Sequence, residues 1–190
     1  MPADGASQAS FGAMEMAELQ AALHTLGYVD AGLAHREIPL NDTAARVPAS
    51  LAIESLEAAE RMLNEPLVGL RAGARVQPRG ALVHLIMSAP SLRDSLRHVE
   101  RFSRILINAL RIELAPQHDM THLVFAFDDP QLASHRQLLD YSLLATVKVL
   151  RGAMAGGLPL AAVHRRRARE AFDGDEHARL FDCPVLFGQP

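Results

Sequence analysis

Residues 110–127 read LRIELAPQHDMTHLVFAF, and the change of apolar period across them decides the fold class. Leu110, Ile112 and Leu114 alternate with Arg111 and Glu113, and Leu123, Phe125 and Phe127 alternate with His122, Val124 and Ala126. A period of two puts successive side chains on opposite faces of an extended chain, so both halves predict strands. The turn residues of APQHDM between them predict a hairpin with a longer loop.

Upstream the period is that of helices. In APSLRDSLRHVERFSRIL, Ser91 stands three residues before Asp94, a variant of the capping box, and Leu92, Leu96, Val99, Phe102 and Leu106 form an apolar stripe. MEMAELQAALHTLG places Met16, Leu19, Leu23 and Leu26 on one face and stops at Gly27, and PASLAIESLEAAERMLNE does the same with Ile53, Leu56, Ala59 and Leu63 before Pro66. The stretch from Tyr28 to Ala49 is aperiodic, with Pro39 and Pro48, and reads as a loop. A second loop is expected around ARVQPRG, followed by a short helix in GALVHLIMSA.

Downstream, DDPQLASHRQLLDYSLLATVKVLRGAMAGG predicts a long helix with Leu139, Leu143, Val147 and Leu150 inward, closed by Gly156 and Gly157. LPLAAVHRRRA predicts a third strand, GDEHARLF a short helix and PVLFG a last strand. Together these give an α+β domain: N-terminal helices packed on a small, mainly antiparallel sheet crossed by one long helix. Residues 1–14 are expected to be a disordered tail and residues 15–190 a single domain.

The 190 residues are 49% hydrophobic and 22% charged with a net charge of −3, the composition of a globular chain without the excess charge of a polyanion binder. The N-terminus lacks the basic flank and apolar run of a signal peptide, and no apolar run reaches the roughly 18 residues of a membrane span. A single cysteine, Cys183, excludes an intramolecular disulfide and fits a reducing compartment, so a cytoplasmic location without membrane contact is expected.

The chemical motifs are sparse. Nine histidines occur without HExxH, CxxC or HxH spacing, so neither a metal nor another cofactor is expected. His98 with Glu100 and His118 with Asp119 are sequence neighbours, which seldom face each other, and no catalytic residue is assigned. VHRRRAR, residues 163–169, and the arginines Arg93, Arg97, Arg101 and Arg104 read as solvated faces.

The order of phrases says more. ARVPASLAIESLEAAERMLNEPLVGLRAG, RGALVHLIMSAPSLRDSLRHVERFSRIL and HARLFDCPVLFG together resemble the N-terminal, arabinose-binding-like effector domain of AraC/XylS-type bacterial transcription regulators, from about Gly27 to Gly188. Two departures stand out: Arg79 precedes Gly80 where the family tends to have an aromatic, and Arg and Ala replace a His-Pro-type turn within VHRRRAREAFDGDE.

The resemblance implies a sensor of an unidentified small-molecule effector that acts on a C-terminal helix-turn-helix domain not contained in these residues, so no direct DNA binding is expected. It also implies a homodimer, with the helix over 135–152 as first candidate for the interface and that over 91–109 as second. His84, Ser88, Phe102, Phe125, Tyr141 and His164, placed where helix and sheet faces could meet, are the candidate ligand contacts. A ligand-independent interaction module and a small hydrolase are the alternatives.

Overall fold

Ser91 starts its helix in the way its spacing to Asp94 predicts. In the computed structural model, which describes residues 9–29, 44–154 and 157–189, the Ser91 Oγ accepts the Asp94 N–H at 3.2 Å and donates to the Asp94 carboxylate at 2.6 Å. The described elements are β1 (Ser10–Gly12), α1 (Ala13–Thr25), β2 (Arg46–Pro48), α2 (Ala49–Leu63), α3 (Val68–Arg75), α4 (Ala81–Met87), α5 (Leu92–Leu106), β3 (Leu110–Gln117), β4 (Met120–Phe127), α6 (Pro130–Ala133), α7 (Arg136–Ala153), β5 (Val163–Arg165), α8 (Glu176–Phe181) and β6 (Val185–Phe187). The class is α+β, and none of the described helices is long and apolar enough to cross a membrane.

The strands form three separate pairs rather than one sheet. β3 and β4 make the expected antiparallel hairpin, with Ile112 opposite Phe125 and Gln117 opposite Met120. The connection is only His118 and Asp119, shorter than expected, because His118 takes a left-handed φ of 53° that lets the strands run to the tip. β5 and β6 pair in parallel, since the helical crossover through α8 returns the chain in the same direction.

The third pair, β1 with β2, corrects the expected tail. Residues 1–8 lie outside the described residues, but Ser10–Gly12 is a strand paired with Arg46–Pro48, and Phe11 is fully buried in the core. The same pairing places a strand inside the expected loop; the remainder of that loop, residues 30–43 with Pro39, lies outside the described residues.

The long helix packs first on other helices. α7 is buried on most sides, with Leu138, Tyr141, Leu144, Val147 and Leu150 in the core, and it ends at Ala153 before the expected glycines; Gly156 lies outside the described residues. Its closest partner is α3, a helix that the sequence pattern leaves unassigned. Small residues explain the approach: a Cβ on Gly73 would meet the Tyr141 carbonyl oxygen at 2.9 Å. The same burial removes α7 as a dimer surface, because only Gly152 along its length is exposed.

Two apolar clusters result. The larger joins α1, α2, α4, α5, α7 and the hairpin; the smaller, of Leu67, Leu70, Leu144, Val147, Val163 and Phe181, fastens β5, β6 and α8 to the far side of α7.

Candidate functional site

Where α1, α4, α5, β3 and α7 converge, the larger core does not close completely. It leaves a cavity of about 80 Å3 walled by Phe11, Leu82, Ile86, Val99, Leu110, Ile112 and Val149, with Glu15, Glu18, Arg79, Ser103, Tyr141, Ser142 and Thr146 as its polar lining. That volume is well below the roughly 150 Å3 that holds a benzene ring, so only a slim group fits without side-chain movement.

Each polar residue arrives for a local reason. Glu15 and Glu18 are one turn apart on α1 and so share a face. Ser103 follows Ser95 and Val99 at four-residue intervals, the truly buried stripe of α5. Tyr141 and Ser142 lie in the middle of α7, and Thr146 donates to the Ser142 carbonyl oxygen at 2.9 Å.

Three of these oxygens have no hydrogen-bond partner within the protein: Glu18 Oε1, Ser103 Oγ and Ser142 Oγ. Ser103 is 2% exposed and Ser142 5%. Buried polar groups are normally satisfied, and leaving one unpaired costs about 1–3 kcal/mol, so three along one cavity call for an explanation.

The electrostatics sharpen the point. Burial pushes the Glu18 carboxyl up to about 7; the nearby Glu15 adds to the rise, while the Arg79 backbone N–H and guanidinium oppose it. Burial also raises Glu15, offset by its own backbone N–H and by Arg46. The Tyr141 phenol is raised by burial first and then by the charges of Glu18 and Glu15, so it stays a neutral donor.

Of the residues expected to contact a ligand, Tyr141 lines the cavity and the others lie elsewhere. His84 and Ser88 are exposed on the outer side of α4, because Leu82 and Ile86 take its inward face. Phe102 is half-buried beside the stripe of α5, stacked on His98 at 6.1 Å with the Arg101 guanidinium 5.2 Å from its ring. Phe125 is half-buried on β4, and the exposed His164 meets His122 edge-on at 6.1 Å.

A second polar cluster sits on the opposite side of α7. Asp140, Asp173 and His177 are buried; Asp140 pairs with the buried Arg165, and Asp173 pairs with Arg167, whose side chain also covers the Phe187 ring at 4.9 Å. His177 lies 3.9 Å from Asp140 and 3.7 Å from Asp173. The expectation that VHRRRAR is a solvated run therefore holds for Arg166 and Arg169 and fails for Arg165 and Arg167, which fasten β5 to α7 and to the loop before α8. Among the described residues no group of His, Cys, Asp and Glu is arranged to hold a metal ion.

The sequence matches, over residues 29–190, the model of the N-terminal arabinose-binding domain of AraC transcription regulators. The chain belongs to that family. No individual curated protein matches it. As an arabinose-binding-type domain of AraC regulators it is a ligand-sensing regulatory domain. The matched stretch supplies every wall of the cavity except Phe11, Glu15 and Glu18, which come from β1 and α1 ahead of it.

Proposed function

We propose that this arabinose-binding-type domain senses a small effector in the cavity between α1, α4, α5, β3 and α7, works as a homodimer in the cytoplasm, and passes occupancy to the DNA-binding part of its regulator. The observation that carries the reading is the apolar cavity with three unpartnered oxygens, Glu18 Oε1, Ser103 Oγ and Ser142 Oγ. A ligand alters the output only if it binds two arrangements of the domain unequally. Glu18 supplies a lever: its carboxyl accepts the Arg79 backbone N–H, so a ligand that engages it acts where α1 meets the link into α4.

A hydrolase is less well supported. Cys183, the chain's one thiol, is pushed up by burial, opposite to the shift an activated nucleophile needs.

A thermal-melt screen against sugars, amino acids, fatty acids and aromatic acids tests the proposal. An effector at 100 times its dissociation constant adds about 2.7 kcal/mol, or roughly 5 to 10 °C. Ile86→Trp, which fills the cavity, is expected to abolish that shift; an unchanged shift in the variant would move the site elsewhere.

A further inference from the structure

We infer that the cavity takes a small amphipathic amine, its ammonium group paired with Glu18 beside Glu15 and its short apolar body among Leu82, Ile86, Val99 and Ile112. The inference rests on the cavity being the effector site and names the class of effector.

Two guanidiniums stand near the two carboxyls of the cavity, but at Glu18 the negative neighbour prevails. The Glu15 charge acts on Glu18 more strongly than the opposing Arg79 guanidinium does, and Arg46 acts on Glu15 from β2. Tyr141, the titratable group that faces them from α7, is neutral. Glu18 Oε1 is left with no partner.

An ammonium group relieves the mutual repulsion of the two carboxyls and forms a charge-assisted hydrogen bond. The Ser103 and Ser142 hydroxyls, on the same lining, can accept as well as donate. A carboxylate ligand would meet Glu15 and Glu18, with the exposed Arg79 guanidinium alone on the lining to offset them, and an alcohol would bring a hydrogen bond without the charge. The volume of about 80 Å3 calls for a ligand of few heavy atoms.

Calorimetry on the full chain with n-butylamine, n-butanol and butyrate, at pH 8 and pH 6, tests the inference. Across that interval a carboxyl at about 7 passes from mostly ionised to mostly protonated, while an alkylammonium keeps its charge as a lysine does. Butylamine is expected to bind at least about tenfold more tightly than butanol at pH 8 and to lose roughly tenfold at pH 6, with butyrate weakest. Glu18→Gln retains an acceptor for the Arg79 N–H. It should bring butylamine down to the level of butanol and flatten its pH dependence.

Butanol or butyrate binding as tightly as butylamine would overturn the amine class and leave the cavity as the effector site. Binding by none of the three would also overturn it, and the Ile86→Trp comparison then decides separately whether the cavity reading stands.

Discussion

Gly69 on α3 donates its backbone N–H to the Gln137 side chain of α7 at 2.8 Å, and a Cβ at position 69 would stand 2.1 Å from the Gln137 carbonyl oxygen. The clash is with backbone, so no rotamer change relieves it and the two helices must separate. Since α7 also lines the cavity through Tyr141 and Ser142, the separation reaches the site. Gly69→Ala is expected to cost about 3 kcal/mol, the upper range for overpacking, and to lower Tm by at least about 6 °C. A melt within a degree or two of wild type would show that the crossing has slack.

The Asp140 and Arg165 pair on the far side of α7 makes a different demand. Both side chains are almost wholly buried, so removing one leaves the other charged without its partner. Asp140→Leu is expected to cost about 3–5 kcal/mol, and the double variant Asp140→Leu/Arg165→Met less than that single change. Chemical denaturation of both variants checks it; additive losses would mean that the pair is not a unit.

The Glu18 carboxyl predicts a pH dependence with a definite sign. Its value in the folded chain, about 7, lies above the ordinary 4.5. Between these values the native state binds more protons than the unfolded state, so this group makes stability fall as pH rises, and its cost is complete above about 7. Glu15 is raised as well and acts in the same direction. Glu18→Gln should therefore gain Tm over wild type as pH goes from 5 to 8; a constant offset would show that Glu18 titrates normally.

Much of this architecture was legible in the sequence, and the failures follow one physical pattern. Met16, Leu19 and Leu23 are buried as their spacing implies, and the hairpin pairs Leu110, Ile112 and Leu114 with the apolar face of β4. What a search for apolar side chains misses is burial of small and charged ones. Ser95 and Ser103, four residues either side of Val99, define the inward stripe of α5, so the choice of Phe102 lies one residue out of phase. Gly69 and Gly73 give α3 its face, and a search for large apolar residues passes over them. Arg165 is buried only because Asp140 arrives from a distant part of the chain, which no local pattern reveals. Glu18 sits on the same helix as the apolar stripe of α1, and only the packing of α4 and α7 against it turns an ordinary surface acid into a cavity wall.

Self-association, if it uses a long helix, falls to α5 because α7 has no free face. Arg93, Arg97 and Arg101 recur there at four-residue intervals, all exposed, and Ile105 beyond them is 59% exposed. Bringing two such faces together sets arginines against arginines, so added salt should strengthen the dimer by screening them. Light scattering is expected to give about twice 20.7 kDa at moderate salt, with Ile105→Lys returning the monomer. A monomer under all salt conditions would count against the homodimer.

Ser103 lines the cavity from α5. Its hydroxyl has no partner in the folded protein, and Ser103→Ala removes that unsatisfied group without adding bulk. The variant should be as stable as wild type or more so, by up to about 1 kcal/mol, since a buried unpaired hydroxyl costs more than the methyl that replaces it. Its response to the effector should weaken, because on the proposed reading the hydroxyl meets the ligand. Such a trade of stability against function is what a binding site predicts and a packing defect does not. Paired melts of Ser103→Ala and wild type, with and without the effector found in the screen, provide the check: equal ligand shifts would mean that the hydroxyl has no part in sensing.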